Sequence, residues 1–250
     1  MANTGNKINR YGLVGKNISY SFSRGYFAQK FTDMGLDNHS YENFDLQHIE
    51  EFPEIIRHTK GLMGLNITIP YKEEVMPFLT GIDDTAKQIG AVNTIKLKGR
   101  ELIGYNTDAH GFQKSLEPFL AKHHGSALIL GTGGASKAVA FVLGQLGITF
   151  RFVSRNPIHT QLGYKDIDKD ILQQHQVIVN CTPLGTYPNI KQKPALPYEC
   201  LNKGHLLYDL IYNPAKTAFL LEGESRGATI CNGLRMLELQ AEKAWEIWNG

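Results

Sequence analysis

Ser126-Ala127-Leu128-Ile129-Leu130-Gly131-Thr132-Gly133-Gly134-Ala135-Ser136-Lys137 reads as a strand, a glycine turn and the opening of a helix that continues through Leu143. Glycines in such a turn bend the chain tightly and let backbone N–H groups approach a pyrophosphate at the positive end of the helix. Ser136 stands where a third glycine would complete the pattern, and a strand-to-helix turn without a ligand is the plainer alternative. The next strand says more. About 20 residues on, an NAD site places an Asp or Glu against the ribose hydroxyl, whereas this chain has Val153-Ser154-Arg155-Asn156. Arg155 can pair with a 2′-phosphate and Ser154 can add a hydrogen bond, unless the arginine is simply solvated at a strand end. Together the two features favour NADP over NAD as cofactor.

Outward from this stretch, residues 127–130, 149–153, 177–180 and 206–210 are strand candidates, the first three separated by helical stretches. Strand alternating with helix predicts parallel strands joined by right-handed crossovers. The proline-bearing run 187–197 reads as a loop. Toward the N-terminus, residues 11–14, 39–44, 61–69 and 91–97 are strand candidates, and 47–60 and 84–89 helix candidates. Ser23 is expected to cap a helix with Tyr26, Phe27, Phe31 and Met34 on its apolar side and Gly35 as its stop. Lys98-Gly99-Arg100 turns a hairpin, which makes this first sheet mixed. Leu234, Leu237, Ala241, Ala244, Trp245 and Trp248 share one face of a closing helix.

A chain of 250 residues has room for one or two domains. With 42% hydrophobic residues and a net charge of +2, it is neither disordered nor patterned for nucleic acid or an anionic membrane. The polar start, residues 1–10, lacks the apolar core of a secretory signal, and no apolar run is long enough to span a bilayer. Three cysteines without a C-x-x-C spacing argue against disulfides or zinc. Asp166-Ile167-Asp168-Lys169-Asp170 imitates a calcium loop but lacks its glycine and its closing glutamate. No metal and a cytoplasmic location are expected.

The first half carries four polar clusters at element ends. In Asn66-Ile67-Thr68-Ile69-Pro70-Tyr71-Lys72, strand alternation puts Asn66 and Thr68 on one face and both isoleucines on the other, with Lys72 just past the strand, over an opening or merely solvated. Ser21 and Ser23 precede a helix, where hydroxyls and a helix end suit a carboxylate, although Ser23 could be only a cap. Gly90-Ala91-Val92-Asn93-Thr94 and Gly104-Tyr105-Asn106-Thr107-Asp108 repeat an Asn-Thr pair, and Asp108 alone would read as an N-cap. A polyhydroxylated ligand with one carboxylate would use this inventory well.

These runs, with Tyr11-Gly-Leu-Val-Gly15, the glycine turn, Asn180-Cys181-Thr182-Pro183-Leu184-Gly185, Asp209-Leu-Ile-Tyr212-Asn-Pro214 and Asn232-Gly233-Leu-Arg-Met236-Leu-Glu-Leu-Gln240-Ala241, stand in one order along nearly the whole chain. In that order they closely resemble the shikimate dehydrogenase family. The resemblance implies an α/β protein of two lobes: a mixed-sheet substrate lobe, 1–107 completed by the helix 233–250, and a Rossmann-like NADP lobe, 108–232. The active site would lie in the cleft between them. The implied reaction is the reversible NADPH-dependent reduction of 3-dehydroshikimate to shikimate, a step toward chorismate and the aromatic amino acids. Ser21 and Ser23 would hold the substrate carboxylate, and Asn66, Thr68, Asn93, Asp108 and Gln240 its hydroxyls, with Tyr212 near the substrate. Lys72 and Asp108 would be the catalytic pair. Gly131, Gly133, Gly134 and Ala135 would surround the pyrophosphate, with Ser154 and Arg155 at the 2′-phosphate. Thr182 would line the cofactor site, and Gly233 and Met236 its nicotinamide end. The protein would be a monomer or homodimer.

Three positions depart from the family pattern: Tyr20 and Arg24 flank the serines where His and Pro are common, and Lys137 replaces a frequent arginine. Two other readings stay open, a quinate/shikimate dehydrogenase with relaxed substrate or cofactor choice and a non-catalytic shikimate-binding module.

Overall fold

The computed structural model describes residues 8–18 and 21–250, so Tyr20 lies outside the described residues. The chain divides into two compact units, residues up to 107 with 241–250, and residues 108–240.

The first unit is built on β1 (Asn9–Gly15), α1 (Phe22–Asp33), β2 (His39–Asp45), α2 (Phe52–His58), β3 (Leu62–Ile67), β4 (Gly81–Ile82), α3 (Asp84–Ile89), β5 (Thr94–Lys98) and β6 (Glu101–Tyr105). Its sheet runs β2-β1-β3-β5-β6-β4. β1 pairs in parallel with β2 and β3, while β3, β5 and β6 pair antiparallel, so the sheet is mixed. Gly99 turns the hairpin at φ +63°, a conformation that glycine adopts without strain. One apolar layer gathers Val14, Leu65, Ile67 and Ile95, and another Tyr11, Phe27, Phe31, Tyr41 and Trp248. Trp248 donates its indole N–H to the Ile95 carbonyl at 3.0 Å, and a Cβ on Gly64 would sit 2.3 Å from that nitrogen. The glycine is what lets the indole lie against the sheet.

Several local expectations change. The cap of α1 is Ser21, whose hydroxyl accepts from the Arg24 N–H at 3.4 Å, so Ser23 lies inside the first turn. Met34 is exposed at the helix end instead of joining the apolar side. The long helix expected over 47–60 is the short α2 preceded by one turn of 3-10 helix, with Pro53 in the first turn of α2, where no N–H is needed. Strand β3 stops at Ile67, so alternation does not reach Ile69, which is 69% exposed. Leu234 is likewise exposed at the start of the closing helix.

The second unit starts with α4 (Thr107–Leu116), whose first residue belongs to the other unit. It continues with β7 (Ser126–Leu130), α5 (Gly134–Gln145), β8 (Thr149–Ser154), β9 (Leu162–Gly163), α6 (Lys169–Gln174), β10 (Val177–Asn180), β11 (Leu206–Asp209), α7 (Ala218–Ser225) and β12 (Thr229–Cys231). Helix α8 (Leu234–Asn249) closes the chain, and the division between the units crosses it after residue 240. The sheet is wholly parallel, in the order β12-β11-β10-β7-β8-β9. This is the doubly wound Rossmann arrangement, whose winding reverses between β7 and β10. Loops leaving the carboxyl ends of those two strands part there and leave a crevice. Among the described residues, no helix is long and apolar enough to cross a membrane.

Candidate active site

In the first unit the two Asn-Thr pairs bind each other. The Thr107 N–H donates to Asn93 Oδ1 at 2.7 Å, and Asn93 Nδ2 donates back to Thr107 Oγ1 at 3.0 Å. Asn106 Nδ2 reaches the Ala91 carbonyl at 2.9 Å. The junction that launches α4 is thus pinned to the start of β5. Helix α4 begins at Thr107, so Asp108 is not its cap but a first-turn residue, 3% exposed, where the helix dipole favours a carboxylate.

Asn66 joins the same network from β3, donating to Thr94 Oγ1 at 3.1 Å and to the Asn93 carbonyl at 3.3 Å. The other side of its amide accepts the Tyr41 hydroxyl at 2.8 Å. Burial pushes the Tyr41 phenol far above its usual range, so it stays protonated. Asn66 and Asn93 are therefore brought together through Thr94 and Thr107, with Tyr41 holding the far side of Asn66, and none of these three was singled out as a site residue. Lys72 is half-buried in the turn after β3. Its backbone is held by Val92, whose N–H donates to the Lys72 carbonyl at 2.8 Å, and by Tyr71, whose buried hydroxyl donates to the Leu46 carbonyl at 2.9 Å. Thr68 follows β3, its N–H donating to the Val14 carbonyl at 2.9 Å.

In the second unit the glycine turn lies at the winding reversal. Gly131 ends β7 at φ +100°, where a Cβ would come within 3.1 Å of Thr182 Cγ2 and 3.3 Å of the Cys181 carbonyl oxygen. Its N–H donates to the Val153 carbonyl at 2.9 Å, which ties the turn to the end of β8. Gly133 faces open space, and α5 starts at Gly134 with no acidic residue in its first turn. Ser136, buried in place of the third glycine, donates its hydroxyl to the Gly133 carbonyl at 2.7 Å and so closes the turn. Ser154 and the exposed Arg155 follow at the same carboxyl edge of the sheet, where Ser154 Oγ accepts from the Asn156 N–H at 3.2 Å.

Beneath that edge is a buried polar layer without an assigned role in the sequence reading. Asp209 Oδ1 accepts from Asn180 Nδ2 and the Ile211 N–H, both at 3.0 Å, and Oδ2 accepts from Thr217 at 2.6 Å. Asn180 Oδ1 in turn accepts from the N–H and hydroxyl of Thr182 at 3.0 and 2.7 Å. Burial pushes the Asp209 carboxyl up to about 6, against the opposing pull of these donors. Tyr212 follows this layer directly. Gly233 has a packing role, since a Cβ there would sit 2.1 Å from the Leu210 carbonyl oxygen. Met236 and Gln240 share one face of α8, and Gly111 lets α4 approach both: its Cβ would lie 2.6 Å from the Met236 carbonyl oxygen.

Residues 13–95 match the family model described as the shikimate dehydrogenase substrate binding domain. Over 96% of this chain and 90% of the relative, the sequence is 36% identical to the shikimate dehydrogenase (NADP(+)) of Methanococcus vannielii. The chain belongs to the shikimate dehydrogenase family. A crystal structure of a shikimate dehydrogenase in complex with NADP+ is similar, with a TM-score of 0.86 at 35% identity over 98% of this chain and 91% of the other. The shikimate dehydrogenase of Thermus thermophilus, in complex with NADP(H) and shikimate, gives 0.85 at 31% identity over 97% and 94%. The span matched by the family's substrate-domain model contains Ser21, Ser23, Asn66, Thr68, Lys72 and Asn93.

Proposed function

We propose that the chain is an NADP-dependent shikimate dehydrogenase that interconverts 3-dehydroshikimate and shikimate. The reading is carried by its near full-length likeness to relatives named for that activity. The cofactor fits the second unit on two counts. Gly133 leaves its backbone clear for a pyrophosphate at the start of α5, Gly131 supplies the left-handed turn that leads to it, and the end of β8 offers Ser154 and Arg155 without a carboxylate to repel a 2′-phosphate. Gly134 and Ala135 complete the turn, and Thr182, Gly233 and Met236 are assigned to the remainder of the dinucleotide.

Bound NADP supplies the hydride acceptor in one direction and, reduced, the hydride donor in the other. The residues of the chain do the rest. Ser21 and Ser23 hold the substrate carboxylate, and Asn66, Thr68, Asn93, Tyr212 and Gln240 orient its ring. As the ketone becomes an alcohol, negative charge grows on its oxygen, and the Lys72 ammonium donates a proton there. In the reverse direction neutral Lys72 takes the hydroxyl proton. Asp108 hydrogen-bonds the same hydroxyl and keeps the ammonium aimed at it. Mixing the protein with shikimate and NADP and following nicotinamide absorbance tests the proposal, with quinate and NAD as parallel arms. Turnover with shikimate and NADP well above the other pairings is expected; no turnover in either direction refutes it.

A further inference from the structure

Thr182, assigned above to the cofactor, has no proton left to give a phosphate. Its N–H and its hydroxyl both donate to Asn180 Oδ1, at 3.0 and 2.7 Å, and its Oγ1 accepts from the Leu184 N–H at 3.3 Å. The ionised phosphates of a dinucleotide only accept, so they find no donor on this residue. What Thr182 turns toward the glycine turn is its methyl, since a Cβ on Gly131 would come within 3.1 Å of Cγ2. The way Thr182 faces is therefore set by Asn180, fully buried at the end of β10. Around them the backbone is tied down: the Leu210 N–H donates to the Asn180 carbonyl at 3.1 Å, and the Cys181 N–H to the Leu130 carbonyl at 2.9 Å.

The Asn180 amide has one workable orientation. Its Nδ2 donates to Asp209 Oδ1 at 3.0 Å, and that oxygen also accepts the Ile211 N–H at 3.0 Å. Oδ1 is thus an acceptor in either charge state of Asp209, because a proton has Oδ2, 2.6 Å from the Thr217 hydroxyl, to sit on. A flipped amide would set Nδ2 against the Thr182 N–H and Oδ1 against the Asp209 oxygen, leaving buried polar groups unpaired on both sides. We infer that Asn180 is a positioning residue for the cofactor: its amide, oriented by Asp209, holds the chain after β10 so that Thr182 packs its methyl against Gly131 and the glycine turn keeps the shape that meets the pyrophosphate. Thr182 then serves NADP through that contact and not through a hydrogen bond of its own.

This inference rests on the proposed function, and the experiment separates the two. Isothermal titration calorimetry on the full chain measures Kd for NADP and for adenosine 2′-phosphate, which keeps the 2′-phosphate and lacks the pyrophosphate. Asn180→Leu should raise Kd for NADP about tenfold and Thr182→Val about threefold, within the worth of one net hydrogen bond each. Kd for adenosine 2′-phosphate should stay near wild type in both variants. Adding Thr182→Val to Asn180→Leu should have little further effect, since the hydroxyl has already lost its acceptor. A Thr182 hydroxyl that met the cofactor directly would show its full loss in both backgrounds, and that result overturns the inference. General loosening of the unit would weaken both ligands alike, which overturns it as well. Thr182→Val exchanges a hydroxyl for a methyl of the same shape, so it decides the matter even if Asn180→Leu does not fold. An unchanged Kd for NADP in that variant, with a wild type that binds NADP, overturns the inference alone. A wild type that does not bind NADP overturns the proposed function, and this inference with it.

Discussion

Asn66, Asn93, Thr94 and Thr107 of the mixed-sheet unit hold one another by side-chain hydrogen bonds, so their donors and acceptors are aimed by neighbours. At the glycine turn of the parallel-sheet unit, Gly133 opens on empty space and Arg155 is exposed. What that second region offers is backbone N–H groups, a helix end and one exposed charge. A small ring with hydroxyls pointing several ways needs side chains fixed in angle, because each misplaced hydrogen bond leaves a buried polar group unpaired. A diphosphate has charge on every face, and backbone amides at a helix start satisfy it without angular precision. Losing one group should therefore damage rate or discrimination in the first region and affinity in the second.

The largest effect is expected at Lys72. Its backbone is fixed by Val92 and by the anchored Tyr71, so replacement with Ala removes the proposed proton donor and leaves these backbone anchors in place. We expect Lys72→Ala to lower kcat by at least about 100-fold, the lower end of what general acid–base help supplies, with little change in KM for shikimate. Stopped-flow or steady-state turnover at saturating ligands reads this directly. Near wild-type kcat would remove Lys72 from the chemistry and break the contrast at its stronger side.

Arg155 should behave in the opposite way. Arg155→Ala is expected to raise KM for NADP about tenfold, on the order of 1.4 kcal/mol, while kcat at saturation and KM for NAD hardly move. The loss should also fade at high salt, because the side chain is exposed and its field is screened. An equal loss with NAD would mean that Arg155 supports the turn and does not read a phosphate.

How much of this was legible in the sequence follows from the range of each signal. The glycine turn and the strands beside it lie within one short stretch, so the parallel sheet and the cofactor edge could be read locally. Strands β9 and β12 are too short to show a period, and only the sheet reveals them. Asn66, Asn93 and Asp108 were visible as polar residues at element ends, but the partners that aim Asn66 and Asn93 sit on other elements, 14 to 28 positions away. Tyr41 lies 25 positions before the Asn66 that it binds, on a strand reading His-Ser-Tyr-Glu-Asn-Phe-Asp in which an aromatic residue needs no function to explain it. Asn180 and Asp209 stood inside quoted motifs without a role, because burial decides that role and no spacing reports it. The misplaced cap at Ser23 has a similar cause. Two serines two positions apart can each cap, and the choice of Ser21 depends on where the backbone turns extended, at φ −128° and ψ 123°.

The smallest expected effect tests whether the second region is as free of aimed side chains as its surface suggests. Asp209 is fully buried, and its carboxyl is raised from 3.8 to about 6, mainly by loss of hydration. A folded-state value above the unfolded one means that the folded protein holds the proton more tightly. Stability from this group is then complete below about pH 4 and is lost as pH rises through about 6. Asp209→Asn keeps an oxygen for Asn180 and Ile211, and its amide can donate to Thr217, whose hydroxyl then turns to accept. The variant should unfold with a stability that varies less between about pH 4 and 6.5 than wild type, and should gain on the order of 1 kcal/mol above that range. Urea unfolding at several pH values measures both. Parallel pH profiles for the two proteins would mean that the carboxylate is no burden to the fold. A flatter profile with KM for NADP unchanged would show that the hydrogen bonds to Asn180, not the charge, hold Thr182 in place. In that case the two regions differ in depth: the first aims its side chains at the ligand, and the second aims them one layer below the backbone that meets it.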